Sequence, residues 1–462
     1  MRTGSGIWKR AAILSAVAGL LCTADAVLGD TYTVTPLTSG LNGRARGISS
    51  TGAVCGVDGG RAFAWRPSSP NASSGTETIL PSLLPNFPSD AYGVNAAGFV
   101  VGYTGDNLIE QHNVPVIWSP GGSISKLPLF NGVTSGGLAT GISDNGLITG
   151  RNGLFTTDAS TARWNTDGTG VNLGTPSDYT HSFGWRINAH GAIAGTAEGS
   201  SNGGSQVFVH SDGVFTFLPL LQGATLTTAD DINDVGHVVG WSSNATKSFF
   251  YDGATVRGLA NVPGDLIQVS VALGLNHRDQ IVGYGNPSPN ITGALIWDGP
   301  SALPRYLSSL IDPSSPGYVS AADPGWVITE AVAINDFGQI AARGLSTHGG
   351  SYRALLLTPA DRVTSVGDGA VARLALTVVP NPAVGPVAVR FTMPRPGPAR
   401  LQVIDLSGRC VAMLYDGPAE TEALSIPWNG RAADGRSLSP GVYFLWLQTS
   451  EGIVSRRLLR TR

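Results

Sequence analysis

The stretch Asp231-Ile232-Asn233-Asp234-Val235-Gly236-His237-Val238-Val239-Gly240 decides the fold of this chain. Asn and Asp side chains bond back to nearby backbone N–H groups, and a glycine takes a positive φ at no steric cost, so Asn-Asp-x-Gly favours a tight turn. The apolar run that follows the turn has high β-propensity. The stretch therefore predicts a hairpin made of a strand, a turn and a second strand.

The same pattern occurs seven times: a small residue, an apolar residue, two polar residues, any residue, a glycine, and an apolar-rich run that closes on glycine. The seventh copy loses its last glycine and ends at Ala341-Ala342. The spacings between copies are 46, 48, 45, 45, 43 and 59 residues. A fixed period of this length is typical of propellers and solenoids. The apolar second position of the copies falls at Ile48, Val94, Ile142, Ile187, Ile232, Leu275 and Ile334.

A third apolar run follows each hairpin, and a fourth run precedes the next copy, as in Val116-Ile117-Trp118 and residues 124–129. Four strands in about 45 residues correspond to one blade of a β-propeller. Several third strands end in tryptophan, which we expect to pack between sheets rather than to bind sugars. These tryptophans are Trp65, Trp118, Trp164 and Trp297.

The two ends of the repeat region complement each other. The seventh copy has no clear fourth strand after Leu357, whereas the strand-like segment Thr31 to Leu37 precedes the first copy without a partner. Pairing this segment into the last sheet removes an exposed edge. The sequence thus predicts an all-β fold in which residues 27–360 form a closed seven-bladed β-propeller.

The repeats also resemble a known family, the extracellular HAF repeat, in which a His-Ala-Phe-like strand accompanies Ile-Asn-Asp-x-Gly-x-Val-Val-Gly. The copy from Asp231 to Gly240 is closest to that pattern, while the third strands keep the aromatic end but not the leading histidine. The resemblance covers roughly residues 31 to 359. It implies an extracellular location and repetition, and no particular activity.

The period stops near Val363, and a different pattern of about seven short strands follows. We expect a linker over residues 361–376 and an Ig-like sandwich over 377–462. Several motifs resemble the C-terminal sorting domain of type IX secretion cargo and the Ig-like domain of flagellar hook-capping proteins. They are Pro380-Asn381-Pro382, Asp405-Leu406-Ser407-Gly408-Arg409, Trp428-Asn429-Gly430, Gly441-Val442-Tyr443 and the basic ending Arg456-Arg457-Leu458-Leu459. The resemblance implies export across an outer membrane with the secretion machinery as partner.

The first 26 residues have the features of a secretory signal peptide. Basic residues precede an apolar run over 11–21, and Ala24-Asp25-Ala26 provides a cleavage site. Later in the sequence no apolar run is long enough for a transmembrane helix. We therefore expect a secreted or outer-surface protein. Outside the leader the cysteines are Cys55 and Cys410, which we expect to be buried free thiols in different domains.

The composition argues against several classes of protein. The net charge is −3, lysine occurs three times, and no basic stripe is present, so nucleic acid is not an expected partner. With 62 glycines and 29 prolines, long surface helices are not expected either.

A search for chemistry yields no catalytic, cofactor-binding or metal residues. Asp230, Asp231 and Asp234 could suggest calcium, but the run lacks the twelve-residue loop pattern and its closing glutamate. His190 and His237 lie in or beside repeat turns, where we expect solvated side chains. None of the seven histidines has zinc-type spacing: His112, His181, His190, His210, His237, His277 and His348.

Three functions remain open. The sequence favours a non-catalytic secreted or surface protein that binds a polysaccharide or a protein, with residues 298–326 as a binding loop or, equally, a structural spacer. The second is an extracellular polysaccharide hydrolase or lyase, which predicts acidic or histidine side chains converging at the mouth of the central channel. The third is a structural surface-layer component, which predicts self-association without a ligand.

Overall fold

The computed structural model describes residues 31–40, 42–105, 113–134, 136–154, 159–199, 204–242, 247–288 and 291–360. Further along it describes 375–379, 383–393, 396–405, 409–420, 424–432, 435–449 and 452–461. The chain divides into two compact units, Met1–Val363 and Thr364–Arg462. The leader, most of the linker and Pro380-Asn381-Pro382 lie outside the described residues.

The described part of the first unit contains seven four-stranded antiparallel sheets and no α-helix; a single 3-10 turn covers Leu307–Leu310. The sheets are numbered one to seven after the repeat copy that opens each. Their first strands are β2 (Arg44–Ile48), β6 (Ser89–Val94), β10 (Leu138–Ile142), β14 (His181–Ile187), β18 (Thr227–Ile232), β22 (Ile267–Leu275) and β26 (Trp326–Ile334). Their second strands are β3 (Val54–Asp58), β7 (Val100–Gly105), β11 (Leu147–Asn152), β15 (Ile193–Glu198), β19 (Val238–Ser242), β23 (Ile281–Ser288) and β27 (Ile340–Ser346).

The outer half of each sheet follows directly in the chain. The third strands are β4 (Arg61–Pro67), β8 (Asn113–Trp118), β12 (Ser160–Asn165), β16 (Ser205–Ser211), β20 (Lys247–Tyr251), β24 (Ile291–Trp297) and β28 (Tyr352–Pro359). The fourth strands of sheets one to six are β5 (Gly75–Ile79), β9 (Ile124–Lys126), β13 (Gly170–Gly174), β17 (Val214–Phe217), β21 (Val256–Gly258) and β25 (Arg305–Tyr306). The chain order within each sheet is the one that the repeat predicts.

The seventh sheet takes its fourth strand from the other end of the unit. Strand β1 (Tyr32–Pro36) pairs antiparallel with β28, with Val34 opposite Leu357. Tyr32 and Val34 are both 1% exposed, because alternate residues of β1 enter the core of this sheet. The prediction that the segment Thr31 to Leu37 completes the last sheet is confirmed.

The sheets contact one another in a closed cycle. Each first strand contacts the first strands of both neighbouring sheets, and β26 of the last sheet contacts β2 of the first. The first strands therefore surround a common axis, while the fourth strands lie at the outside. Trp118, Trp164 and Trp297 are fully buried between sheets, as predicted, and each indole N–H donates to a backbone carbonyl at 2.8–2.9 Å.

The long connection before the seventh repeat is largely structural. It supplies β25 and the 3-10 turn, and its Leu307 is fully buried. Asp312 accepts a hydrogen bond from the Thr31 hydroxyl at 2.9 Å, and Ser315 accepts one from the Val34 N–H at 3.2 Å. Residues 311–315 thus cover strand β1, which favours the spacer interpretation of residues 298–326 over the binding loop.

The second unit consists of two antiparallel sheets around one core. The three-stranded sheet has the order β29 (Ala375–Val379), β30 (Val387–Thr392), β33 (Leu424–Trp428). The four-stranded sheet has the order β32 (Cys410–Ala419), β31 (Gly397–Ile404), β34 (Gly441–Thr449), β35 (Gly452–Arg460). Val389 and Phe391 of one sheet pack in the same cluster as Leu401 and Leu445 of the other.

Cys55 is buried, as predicted, whereas Cys410 is exposed. The prediction for Cys410 was wrong because it opens an outer strand of its sheet.

Candidate functional site

The apolar second positions of the seven repeats converge at one end of the axis. All seven line a recess of about 180 Å³, which is referred to below as the turn-side recess. A repeat of period near 45 places one such residue on every first strand at the same height. The recess is therefore the geometrical centre of the repeat.

The asparagines of the turns fasten neighbouring sheets to one another. The Asn233 Oδ1 accepts the N–H of His237 at 2.9 Å within its own turn, and its Nδ2 donates to the carbonyl of Asn276 in the next sheet at 3.1 Å. An amide has both a donor and an acceptor, so one side chain can serve the turn and the neighbouring sheet. Equivalent bonds between sheets run from Asn95 to Ser143, Asn188 to Asn233, Asn276 to Asn335 and Asn335 to Ser49.

At the rim of the turn-side recess, one histidine lies between two carboxylates. The His277 ring nitrogens lie 3.1 Å from Asp234 Oδ2 and 2.7 Å from Asp336 Oδ2. Hydrogen bonds to these two carboxylates raise the pKa of His277 to about 10. The remaining carboxylate oxygens accept backbone N–H groups, of Ala189 for Asp234 and of His277 for Asp336. The acidic and histidine side chains expected by the hydrolase hypothesis do converge here, but each polar atom already has a partner.

Toward the other end of the axis, every first strand carries a β-bulge at the same repeat position. The extra residue precedes the small residue that opens the repeat motif. A bulge leaves this residue out of the ladder and redirects its backbone and side chain. The bulge residues are Arg46, Tyr92, Thr140, Trp185, Asp230, Leu273 and Val332.

Arg186 extends across the axis at this height. It occupies the first repeat position, which is Gly or Ala in five of the copies. Its guanidinium donates to the carbonyls of Thr140 at 2.8 Å, Trp185 at 3.1 Å and Arg46 at 3.3 Å. All three acceptors are bulge residues, and Arg46 belongs to sheet one while Arg186 belongs to sheet four. Arg186 therefore joins nearly opposite sides of the ring.

Two partly buried ion pairs lie beside the bulges. Arg46 donates to Asp90 Oδ2 through Nε at 3.2 Å and Nη2 at 2.8 Å, and Arg44 contacts Glu330 Oε1 at 2.8 Å. Burial raises the pKa of Asp90, although the Arg46 guanidinium acts in the opposite direction. The guanidinium of Arg46 also stacks on the Tyr92 ring, 4.8 Å from its centroid.

Two adjacent carboxyls lie on sheet five: Asp230 is its bulge residue, and Asp231 lines the turn-side recess. Both residues are half-buried, and desolvation raises the pKa of Asp231 to about 6 and that of Asp230 well above its ordinary value. Asp231 accepts the N–H groups of Ile232 at 2.9 Å and Leu275 at 3.0 Å. Asp230 Oδ2 has no hydrogen-bond partner among the described residues, and the same holds for Asp90 Oδ1 and Arg44 Nε.

The second strands add a row of half-buried side chains at the same height. The residue after the last motif position is Tyr103, Trp241 or Tyr284 in three sheets, and Arg151 or Arg343 in two others. These side chains and the bulge residues, together with Arg44, Asp90, Arg186 and Glu330, are called the bulge band below. Tyr92 and Tyr103 contact each other within it, with ring centroids 6.2 Å apart.

The structure shows where the acidic residues and histidines discussed in the sequence analysis lie. Asp234 belongs to the turn-side rim, and no cluster of His, Cys, Asp and Glu suited to a metal ion occurs among the described residues. The expectation of a solvated His237 was wrong, because its Nδ1 lies 2.8 Å from Asp279 and its ring packs on Phe250.

The sequence analysis missed the bulge band. Its available signal was the replacement of the small first residue by Arg186 and Asp231 in copies four and five.

No protein-family model and no curated protein matches the sequence. Solved structures match weakly. PorZ, a surface component of the type IX secretion system of Porphyromonas gingivalis, is 12% identical with a TM-score of 0.35, covering 90% of this chain and 70% of PorZ. The virginiamycin B lyase of Staphylococcus aureus is 14% identical with a TM-score of 0.45, covering 71% of this chain and 98% of the lyase. A putative TolB of Agrobacterium tumefaciens is 14% identical with a TM-score of 0.36, covering 50% and 87%. Likenesses of this size bear on neither activity nor ligand.

Among the described residues, no helix is long and apolar enough to cross a lipid bilayer.

Proposed function

We propose that this chain is a secreted or outer-surface, non-catalytic binding protein, in which a seven-bladed β-propeller of HAF-type repeats carries the binding site. The observation that supports it most is the state of the charged groups around the axis. At the turn-side rim the carboxylates and His277 bind one another and the turn backbone. These contacts hold neighbouring sheets together.

The hydrolase or lyase alternative has less support. General acid–base catalysis needs a group that can gain and lose a proton near the operating pH. Both ring nitrogens of His277 face carboxylates, and its raised pKa keeps the ring protonated at neutral pH. In the bulge band, Asp90 and Glu330 are paired with arginines. Asp231, whose pKa is raised to about 6, accepts two backbone N–H groups, so Asp230 is the carboxyl that this alternative would use.

Binding and turnover can be measured on the same sample. The full chain is incubated with a polysaccharide and protein panel, and both retention and product formation are followed. Retention without product supports the proposal. Product that disappears in Asp230→Asn would instead identify a hydrolase or lyase. Self-association without retention would favour the surface-layer alternative.

The second unit, which we assign to residues 377–462 as an Ig-like sorting domain after a linker over 361–376, is proposed to direct export after the signal peptide 1–26 is removed. Its two sheets around one core support this assignment. In a host with a type IX system, deletion of residues 377–462 is expected to leave the protein in the periplasm. Unchanged delivery of the truncated protein to the cell surface would contradict this role.

A further inference from the structure

We infer that the turn-side recess binds a lysine side chain presented by a protein partner, with the aliphatic stem against the apolar ring and the ammonium group among the carboxylates. This inference rests on the proposed binding function and specifies the partner. Three features of the recess carry it: the order of its layers, its charge and the free acceptors of two carboxylates.

The recess has an apolar layer between two acidic ones. Its rim lies in the turns and holds Asp144, Asp234 and Asp336, and the apolar second positions form the layer beneath. Asp231 precedes the second-position Ile232 in strand β18, which runs toward the turn, so this carboxyl lies at the inner end of the apolar layer. A lysine side chain has a matching order of groups, because its methylene stem is apolar and its end is charged.

The lining of the recess is negatively charged. It contains no Lys or Arg, and its ionisable side chains are four carboxyls and one imidazolium: Asp144, Asp231, Asp234, Asp336 and His277. Burial raises the pKa of Asp231 to about 6, so this carboxyl is mostly ionised at pH 7.5. Two guanidiniums outside the lining, Arg186 and Arg278, act on Asp231 and Asp336 but are too few to balance the carboxylates. A partner group that enters the recess is therefore favoured if it is a cation.

Two of the carboxylates have no cation bonded to them among the described residues. Asp144 is exposed and accepts hydrogen bonds from two neutral donors, the Ala96 N–H at 2.7 Å and the Ser50 hydroxyl. Asp231 accepts two backbone N–H groups. A carboxylate has about four lone-pair sites, so both retain acceptors for an ammonium group.

Lysine suits these acceptors better than arginine. A planar guanidinium binds best through two parallel bonds to one carboxylate, and every oxygen of Asp144 and Asp231 already accepts a bond. An ammonium group is a compact point charge with three donors, which can reach acceptors on different sheets. The two carboxylates belong to sheets three and five, so they present this kind of divided site.

Frontal affinity chromatography of the full chain at pH 7.5 tests the inference. The column carries the peptide Gly-Gly-Lys-Gly-Gly coupled through its N-terminus, so that the lysine is the free amine. Matched columns replace the lysine with norleucine, which keeps an apolar stem without the charge, with arginine or with glutamate. Retention on the lysine column is expected to exceed that on the norleucine column at least about tenfold.

Variants locate the site. Asp231→Asn is expected to weaken retention on the lysine column about tenfold, and the more exposed Asp144→Asn about threefold. His277→Gln removes the cation of the lining and is expected to strengthen retention about twofold. The matched control Asp212→Asn removes an exposed carboxylate from the β16–β17 turn at the same end of the unit, where its φ of 51° suits asparagine, and should be retained as the parent is.

Equal retention on the lysine and norleucine columns, or stronger retention on the arginine column, would overturn the ligand class. Lysine-dependent retention that Asp144→Asn and Asp231→Asn both leave unchanged would overturn the location. If the chain retains a member of the polysaccharide and protein panel but shows no lysine-dependent retention, this inference fails while the proposed binding function stands; if neither is retained, both fail. Asp144 lies in an exposed turn, so Asp144→Asn keeps the test decisive should Asp231→Asn not fold.

Discussion

His277 is a side chain whose contribution to stability depends on pH in a predictable direction. Hydrogen bonds to Asp234 and Asp336 raise its pKa from the ordinary 6.5 to about 10. A raised pKa in the folded state means that the stabilisation is complete below about pH 6.5 and is lost as the pH rises toward about 10. We expect His277→Gln to lower stability by about 1 kcal/mol at pH 6, a modest figure because the side chain is 42% exposed and water screens the pairs.

Denaturant unfolding of the parent and His277→Gln at pH 6, 8 and 10 measures this effect. The difference between the two proteins should shrink with each step in pH. His190→Gln is the control, since its exposed side chain lies outside the Asp234–His277–Asp336 bridge. A difference that is constant from pH 6 to pH 10 would mean that the bridge is not an ion pair.

The turn asparagines are a second case in which the identity of one side chain affects the stability of the fold. Asn233 is 5% exposed and satisfies its own turn and the next sheet at once. Asn233→Ala removes both bonds and is expected to lower the free energy of unfolding by about 2 kcal/mol.

Ser49 is the equivalent residue of the first turn. Its hydroxyl accepts a hydrogen bond within the turn, but it has no amide donor for the next sheet. Ser49→Asn should add the missing bond to sheet two and raise the free energy of unfolding by about 0.5–1 kcal/mol. Equilibrium unfolding of the two variants checks both signs, and a destabilised Ser49→Asn would refute the two-sided role.

At the scale of the element, strand β1 decides whether the ring is closed. Val34 faces the core of the seventh sheet and is 1% exposed, whereas the adjacent Thr35 is half-buried on the other face. Val34→Asp places an unpaired carboxyl in that core and is expected to cost about 3–5 kcal/mol. Thr35→Asp on the same strand is the matched control, with an expected cost below about 1 kcal/mol. Thermal melts of both variants make the comparison, and equal melting temperatures would show that β1 does not seal the ring.

The strand order was predictable because the same pattern of a turn flanked by apolar runs occurs in seven copies. A turn motif such as Asn233-Asp234-Val235-Gly236 has one conformation that its residues favour, and the apolar runs on both sides set the register. The unpaired segment at residues 31–37 was predictable for a similar reason, because an edge without a partner requires one. The exposure of Cys410 was not predictable, since the motif pattern of the second unit does not say which face of β32 meets solvent.

The bulge band could not be predicted from the repeat, because it lies where the repeat is irregular. Each bulge residue immediately precedes the repeat motif, and its identity changes from Arg46 to Tyr92 to Asp230 between sheets. A conserved period fixes the scaffold, and only the varying positions can be specific for a ligand. The sequence signal for the bulge is weak: a small residue follows it in five copies, and Arg186 or Asp231 replaces that residue in the other two.

At the scale of the whole molecule, Arg186 links parts of the ring that are far apart in sequence. Its guanidinium binds the carbonyls of Arg46, Thr140 and Trp185, which come from sheets one, three and four. Charged donors contribute about 1.5–3 kcal/mol per hydrogen bond when both partners are buried, and less when water can replace them. We expect Arg186→Ala to destabilise the first unit by about 2 kcal/mol, and Arg186→Lys, which keeps the charge but loses the planar fork, to fall between Ala and the parent.

Chemical rescue separates this bridging role from a general packing defect. If the carbonyls form a site shaped for a planar cation, about 20 mM guanidinium should recover part of the stability of Arg186→Ala while leaving the parent unchanged. An equal concentration of sodium, which lacks the planar donors, should have no such effect. Differential scanning calorimetry measures all three conditions. If guanidinium and sodium act alike, Arg186 stabilises the ring by filling space, and the link between distant sheets has to come from the first-strand contacts alone.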